Sequence, residues 1–165
     1  MGRPQRRFGD GVPSADAVLD WPRGLFDALK TARVRQVSHV PDGGHARLIS
    51  LCTADPELLV TTLTSEEEGV AQACGAWLGG DRSALLMQSS GVGNCINMLS
   101  MVRTCGFPFL TIVSMRGQWG EFVPWQIPMA QAVPAVLLAM GVIVQPVRPG
   151  RRRRRDRRKL RETRL

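Results

Sequence analysis

Five short apolar runs alternate with five stretches of helical spacing, and this alternation constrains the fold more than any other feature of the chain. The runs are 34–40, 58–64, 84–88, 108–115 and 142–147, and the helical stretches are 22–29, 48–52, 66–78, 91–102 and 134–140. Strands that read as near-continuous apolar runs are buried on both faces, as in a parallel sheet. Parallel neighbours cannot be joined by a tight hairpin and need a crossover, which the helical stretches supply. The expected fold class is therefore α/β, a parallel sheet with helices on both faces. Such sheets bind ligands beyond the carboxyl ends of their strands. The segments of interest are those that follow strands: Pro41–His45, Ser65–Glu68, Ser89–Asn94 and Arg116–Gln126.

A length of 165 residues suffices for one domain with a single core. The formal net charge of +8 points to nucleic acid until it is located along the chain. Arg151–Leu165 carries ten Lys/Arg and two Asp/Glu; of the totals of 22 and 14, twelve of each sign remain for residues 1–150, a net of zero. A neutral domain lacks the basic face that nucleic acid requires, so nucleic acid is expected only through the tail. Cys52, Cys74, Cys95 and Cys105 form no C-x-x-C pair, and His39 and His45 offer no zinc spacing, so no metal site is expected on this chain. Each cysteine lies in or beside an apolar run, which predicts reduced, buried thiols in a cytoplasmic protein. The N-terminus carries no apolar core of a secretory signal, and the longest apolar stretch, Ala132–Val144, is interrupted by Pro134 and too short to span a bilayer. Residues 1–13 read as a flexible arm, 14–147 as the domain and 148–165 as an Arg-rich disordered tail.

Three of the post-strand segments carry residues with chemistry. Ser65-Glu66-Glu67-Glu68 reads two ways. Ser65 caps a helix whose acidic first turn complements the helix dipole, or one carboxylate turns into the crevice and meets a ligand. Gln88–Asn94 follows a strand and opens a helix, but it has neither the Lys nor the third Gly of a phosphate loop. Its glycines predict a close approach to the backbone. Met115–Glu121 leaves a strand end, with Arg116 either a surface cation or a partner for an anionic substrate, and with Trp119 and Trp125 as loop anchors. Gly9-Asp10-Gly11 has no Asn at the spacing that a magnesium–diphosphate motif needs; the asparagines are Asn94 and Asn97.

Taken together, S-E-E-E-G-V-A-Q-A-C-G-A-W-L-G-G at 65–80, L-L-M-Q-S-S-G-V-G-N-C-I-N at 85–97, M-R-G-Q-W-G-E at 115–121 and V-P-D at 40–42 resemble the pyrimidine-binding (Pyr) domain of thiamine-diphosphate-dependent decarboxylases. The pattern is most similar to the alpha subunit of sulfopyruvate decarboxylase and the N-terminal domain of phosphonopyruvate decarboxylase, over about Trp21–Val147. The family places an essential Glu at a helix start, with a small residue three positions on and a Gly nine positions on. Glu66 meets that spacing with Gly69 and Gly75, and Glu68 is the alternative. The resemblance implies that Glu66 hydrogen-bonds N1′ of the cofactor's aminopyrimidine and tunes the cofactor, which carries the chemistry. It implies further that Gly91, Val92, Gly93 and Asn94 line the cofactor site, and that Asp42, His45 and Arg116 lie near a small anionic 2-oxo acid.

The same resemblance implies a partner. A thiamine enzyme holds the diphosphate through Mg2+ on a second domain, which this chain does not carry. A diphosphate-binding beta-type subunit is expected to supply it, leaving this chain inactive alone. The family continues past Val147 with a further helix and a closing strand, where this chain has an Arg-rich run. That run is expected to be a truncated or out-of-frame end rather than a natural basic tail. Two other classes stay open from sequence: a non-catalytic remnant of the domain, and a basic-tailed nucleic-acid-associated protein.

Overall fold

A computed structural model describes residues 20–118 and 120–147. The arm 1–13, the Gly9-Asp10-Gly11 triplet, Trp119 and the tail 148–165 lie outside the described residues. The order of elements is α1 (Trp21–Thr31), β1 (Val34–His39), a short 3-10 turn (Gly43–His45), α2 (Ala46–Thr53), β2 (Leu59–Thr62), α3 (Glu66–Leu78), β3 (Arg82–Gln88), α4 (Ser89–Cys105), β4 (Thr111–Ser114) and α5 (Gln126–Ala139). All strand pairs are parallel, in the order β2-β1-β3-β4. The α/β class expected from the alternation is the class observed. Because the chain moves from β1 outward to β2 and then back to β3 on the other side, the winding reverses between β1 and β3. Open parallel sheets bind ligands at such a reversal, beyond the carboxyl ends of the strands.

The central strand β3 shows why the run reads as apolar: Ala84, Leu85, Leu86 and Met87 are all fully buried. Leu85 and Met87 face one core, shared with Val70 of α3, Val92, Cys95 and Leu99 of α4, and Val133 and Leu137 of α5. Ala84 and Leu86 face the other, shared with Leu29 of α1, Val37 of β1, and Leu48 and Cys52 of α2. The period-2 alternation of a strand therefore feeds two helix layers.

Three expectations are corrected. Residues 142–147 form no strand. The N–H of Val142 bonds to Leu137 O at 2.9 Å and closes the end of α5. Val142 and Val144 then pack on the core without pairing, and Pro146 has no N–H to offer a ladder. The last helix begins at Gln126, eight residues before the Pro134 taken as its start, because Ala130, Val133 and Leu137 bury one continuous face across the proline. Cys52, Cys74 and Cys95 are buried free thiols as expected, but Cys105 is exposed at the end of α4. No helix among the described residues is long and apolar enough to cross a membrane.

Gly69 sets the distance between α3 and β3. A Cβ there would lie 2.4 Å from Leu85 Cδ1 and 2.8 Å from Leu63 Cδ1. Both leucines are buried, so neither has room to give. Gly69→Ala is expected to cost about 1–3 kcal/mol of stability despite alanine's better helix propensity, measurable by denaturant unfolding. A variant as stable as the parent would show that α3 can move outward freely.

Candidate active site

The first turn of α3 sorts its three carboxylates. Ser65 stands at the N-cap position but makes no side-chain capping bond, which corrects the expectation that it caps the helix. Glu68 reaches back past the N-cap position: its Oε2 accepts from Thr64 N at 3.1 Å and its Oε1 from the Thr64 hydroxyl at 2.7 Å. The hydroxyl and N–H of Thr64 hold the Glu68 carboxyl below its ordinary pKa. Glu67 is exposed. Glu66 alone turns inward, with 8% of its surface exposed.

The first two turns of α4 receive it. A Cβ at Gly91 would sit 2.2 Å from both Cδ and Oε1 of Glu66, so the carboxylate occupies the space that any other residue would fill. Asn94 Nδ2 donates to Glu66 Oε2 at 3.3 Å. Oε1 receives no hydrogen bond among the described residues. The Cys95 thiol is pushed up to about 12, by burial first and then by the charge of Glu66. Val92 is fully buried in the core beneath, and Gly93 faces the Met129 sulfur of α5. Of the four α4 residues expected at a cofactor site, the structure brings Gly91 and Asn94 to Glu66 and turns Val92 and Gly93 toward the helix layer. Gly69 is required by packing, whereas nothing lies within 4 Å of a Cβ at Gly75.

A second polar group closes the reversal point between β1, β3 and β4. Asp42 Oδ2 accepts from Ser114 Oγ at 2.6 Å, and its Oδ1 accepts from Gln88 Nε2 at 3.4 Å. Burial pushes the Asp42 pKa up, but the hydrogen bonds from Ser114 and the Gly44 N–H, with the nearby His45, outweigh it and leave it lowered. His45 is 2% exposed, and its Nδ1 lies 3.2 Å from Asp42 Oδ2 but out of line for a hydrogen bond. Burial lowers the His45 pKa, against the pull of Asp42, so the ring is neutral at pH 7. Trp21 meets it edge-on at 6.5 Å between centroids.

Arg116 begins the loop after β4, its N–H donating to Ser89 Oγ at 3.1 Å. Its side chain is committed: Nε and Nη2 donate to Glu121 at 2.7 and 2.5 Å. Glu121 also accepts from Gly117 N at 3.1 Å and Val123 N at 3.0 Å, and so staples the loop. The sequence reading missed Glu121, Gln88 and Ser114. Gln88 and Ser114 had a signal, as the polar last residues of apolar strands. Trp125 is 76% exposed and anchors nothing among the described residues, contrary to expectation.

No protein-family model matches the chain. Sulfopyruvate decarboxylase subunit alpha of Methanocaldococcus jannaschii is 36% identical over 114 residues, covering 68% of this chain and 68% of that protein. The protein of the same name from Methanothermobacter thermautotrophicus is 34% identical over 125 residues, 75% of this chain and 76% of that one. The chain belongs to the sulfopyruvate decarboxylase alpha-subunit family. A phosphonopyruvate decarboxylase of Streptomyces viridochromogenes is 38% identical over 98 residues, 59% of this chain but 25% of the larger protein. In this alpha-subunit-type domain, the inward carboxylate and its glycine seat lie at the loops after β2 and β3.

Two outcomes test this geometry. Gly91→Ala is expected to destabilise by about 1–3 kcal/mol, because the new methyl and the Glu66 carboxylate cannot share one space. Adding Glu66→Ala should restore the loss, and simple additivity in denaturant unfolding would refute the shared seat. The second outcome concerns Glu121, whose pKa is lowered from 4.5 to about 2, first by Arg116. A carboxyl depressed on folding stabilises above its unfolded pKa and loses that contribution as pH falls through the folded one. Amide protection of Gly117 and Val123 should therefore decline between about pH 4.5 and 2 in hydrogen exchange. Glu121→Gln should remove that pH dependence.

Proposed function

We propose that the chain is the pyrimidine-binding, alpha-type subunit of a thiamine-diphosphate-dependent decarboxylase of a small anionic 2-oxo acid, sulfopyruvate or phosphonopyruvate, releasing CO2 and an aldehyde. The observation that carries this reading is the Glu66 carboxylate: turned inward, seated on Gly91, with Oε2 held and Oε1 open. An inward carboxylate with one oxygen free of protein donors can take a hydrogen bond from a ligand donor. A protonated aminopyrimidine nitrogen supplies that donor and its charge, so the residues present fit the cofactor. When bound, thiamine diphosphate provides the electron sink that lets the carboxylate of the 2-oxo acid leave.

The chain's own residues then have distinct tasks. Glu66 Oε1 would accept a hydrogen bond from the aminopyrimidine nitrogen N1′ and would favour its protonated form. Gly91 leaves the space in which the carboxylate sits, and Asn94 donates to it, while Val92 and Gly93 support this turn of α4 from the core side. Asp42 and His45 shape the crevice at the reversal point, a fixed carboxylate beside a neutral imidazole. Arg116, with Nη1 uncommitted to Glu121, offers a donor to an anionic end of the substrate.

Half of such a site is elsewhere. Relatives named as alpha subunits support a partner, and we assign to it the diphosphate and its Mg2+. Among the described residues no three His, Cys, Asp or Glu side chains gather to hold an ion. The site of action proposed is the cytoplasm, consistent with the free thiols among the described residues.

The purified chain is expected to leave sulfopyruvate intact until a diphosphate-binding subunit, thiamine diphosphate and Mg2+ are added. Turnover by the chain alone would overturn the division of labour. In the reconstituted complex, Glu66→Gln should lower kcat by roughly a hundredfold or more, whereas Glu68→Gln should change it little and lower only stability. The reverse ranking would move the role to Glu68.

A further inference from the structure

Deepening that reading, and resting on it, we infer that Asn94 is a positioning residue for Glu66, acting on the carboxylate rather than on the bound cofactor. Gly91, Asn94 and Cys95 stand at i, i+3 and i+4 and so share one face of α4. That face meets Glu66 with three different surfaces. Gly91 gives the carboxylate room, Asn94 Nδ2 donates to Oε2, and the Cys95 thiol stays neutral beside it. Glu66 has no other side-chain donor among the described residues.

The two oxygens of a carboxylate exchange by rotation about Cγ–Cδ. With Oε2 taken by Asn94, that rotation is restricted and Oε1 is the oxygen presented. An amide suits the task because it donates a hydrogen bond without adding charge. Aspartate would bring a second negative charge to within about the same distance, and lysine would neutralise the carboxylate that the cofactor needs. Packing does not explain the residue, since Asn94 is exposed while its neighbours Val92 and Cys95 fill the core.

A double-mutant cycle tests the inference by cofactor affinity, which does not depend on turnover. Thiamine diphosphate binding with Mg2+ is measured by calorimetry for the complex with its diphosphate-binding subunit, carrying the parent chain, Asn94→Ala, Glu66→Gln or both. Asn94→Ala is expected to weaken binding roughly fivefold to tenfold in the parent and less than about twofold in the Glu66→Gln background. Equal losses in both backgrounds would mean that Asn94 touches the cofactor or supports the fold independently, and would overturn the inference. So would an unchanged affinity in the parent. A second readout uses the full-length chain without cofactor: Glu66→Gln should shift the side-chain amide resonances of Asn94, and unmoved resonances would refute the pairing. If the parent complex binds no thiamine diphosphate while those resonances do shift, the functional reading fails and takes this inference with it, although the pairing itself stands.

Discussion

The close approach of α3 to β3 and α4 is the constraint on which the rest of this domain depends. Two glycines permit it from opposite sides. Gly69 lets the helix settle against Leu85 and Leu63, and Gly91 lets the Glu66 carboxylate settle against α4. A methyl at either position would fall inside the van der Waals radius of its neighbour. Moving α3 outward to relieve such a clash would open the core around Val70, Leu85 and Val92, which are all fully buried. Packing and the candidate site are thus one arrangement, because the contact that completes the core also turns a carboxylate inward.

A carboxylate in that position needs competitors removed. Three acidic residues begin α3, and each has a different fate because the helix start offers three environments. Glu68 closes back on Thr64, Glu67 reaches solvent and Glu66 is driven under α4. The acidic first turn of α3 complements the helix dipole, and of its three carboxylates Glu66 alone turns inward. Glu68 ties the first turn of α3 to Thr64 at the end of the preceding segment, which leaves Glu66 as the carboxylate that faces α4.

Around the reversal point the sheet is closed by polar contacts instead of apolar ones. Asp42 joins the loop after β1 to the ends of β3 and β4, through Gln88 and Ser114, and Glu121 folds the loop after β4 around Arg116. These contacts tie three post-strand segments together while leaving Oε1 of Glu66 and Nη1 of Arg116 without a protein hydrogen bond among the described residues.

Much of this was legible in the chain itself. The alternation of apolar runs with helical stretches determined an α/β sheet because a strand buried on both faces has no polar side to show. The family resemblance, through the spacing of Glu66 to Gly69 and Gly75, singled out one carboxylate of three, although tertiary contact accounts for Gly69 alone. Only the tertiary structure decided the rest. Whether 142–147 would pair or merely pack depended on where α5 ended, and periodicity reports burial, not hydrogen bonding. That Arg116 is held by Glu121, that Asp42 is locked by Gln88 and Ser114, and that Asn94 reaches Glu66 from 28 residues away are consequences of strand order. Strand order is set by how crossovers pack, and no local pattern of residues encodes it.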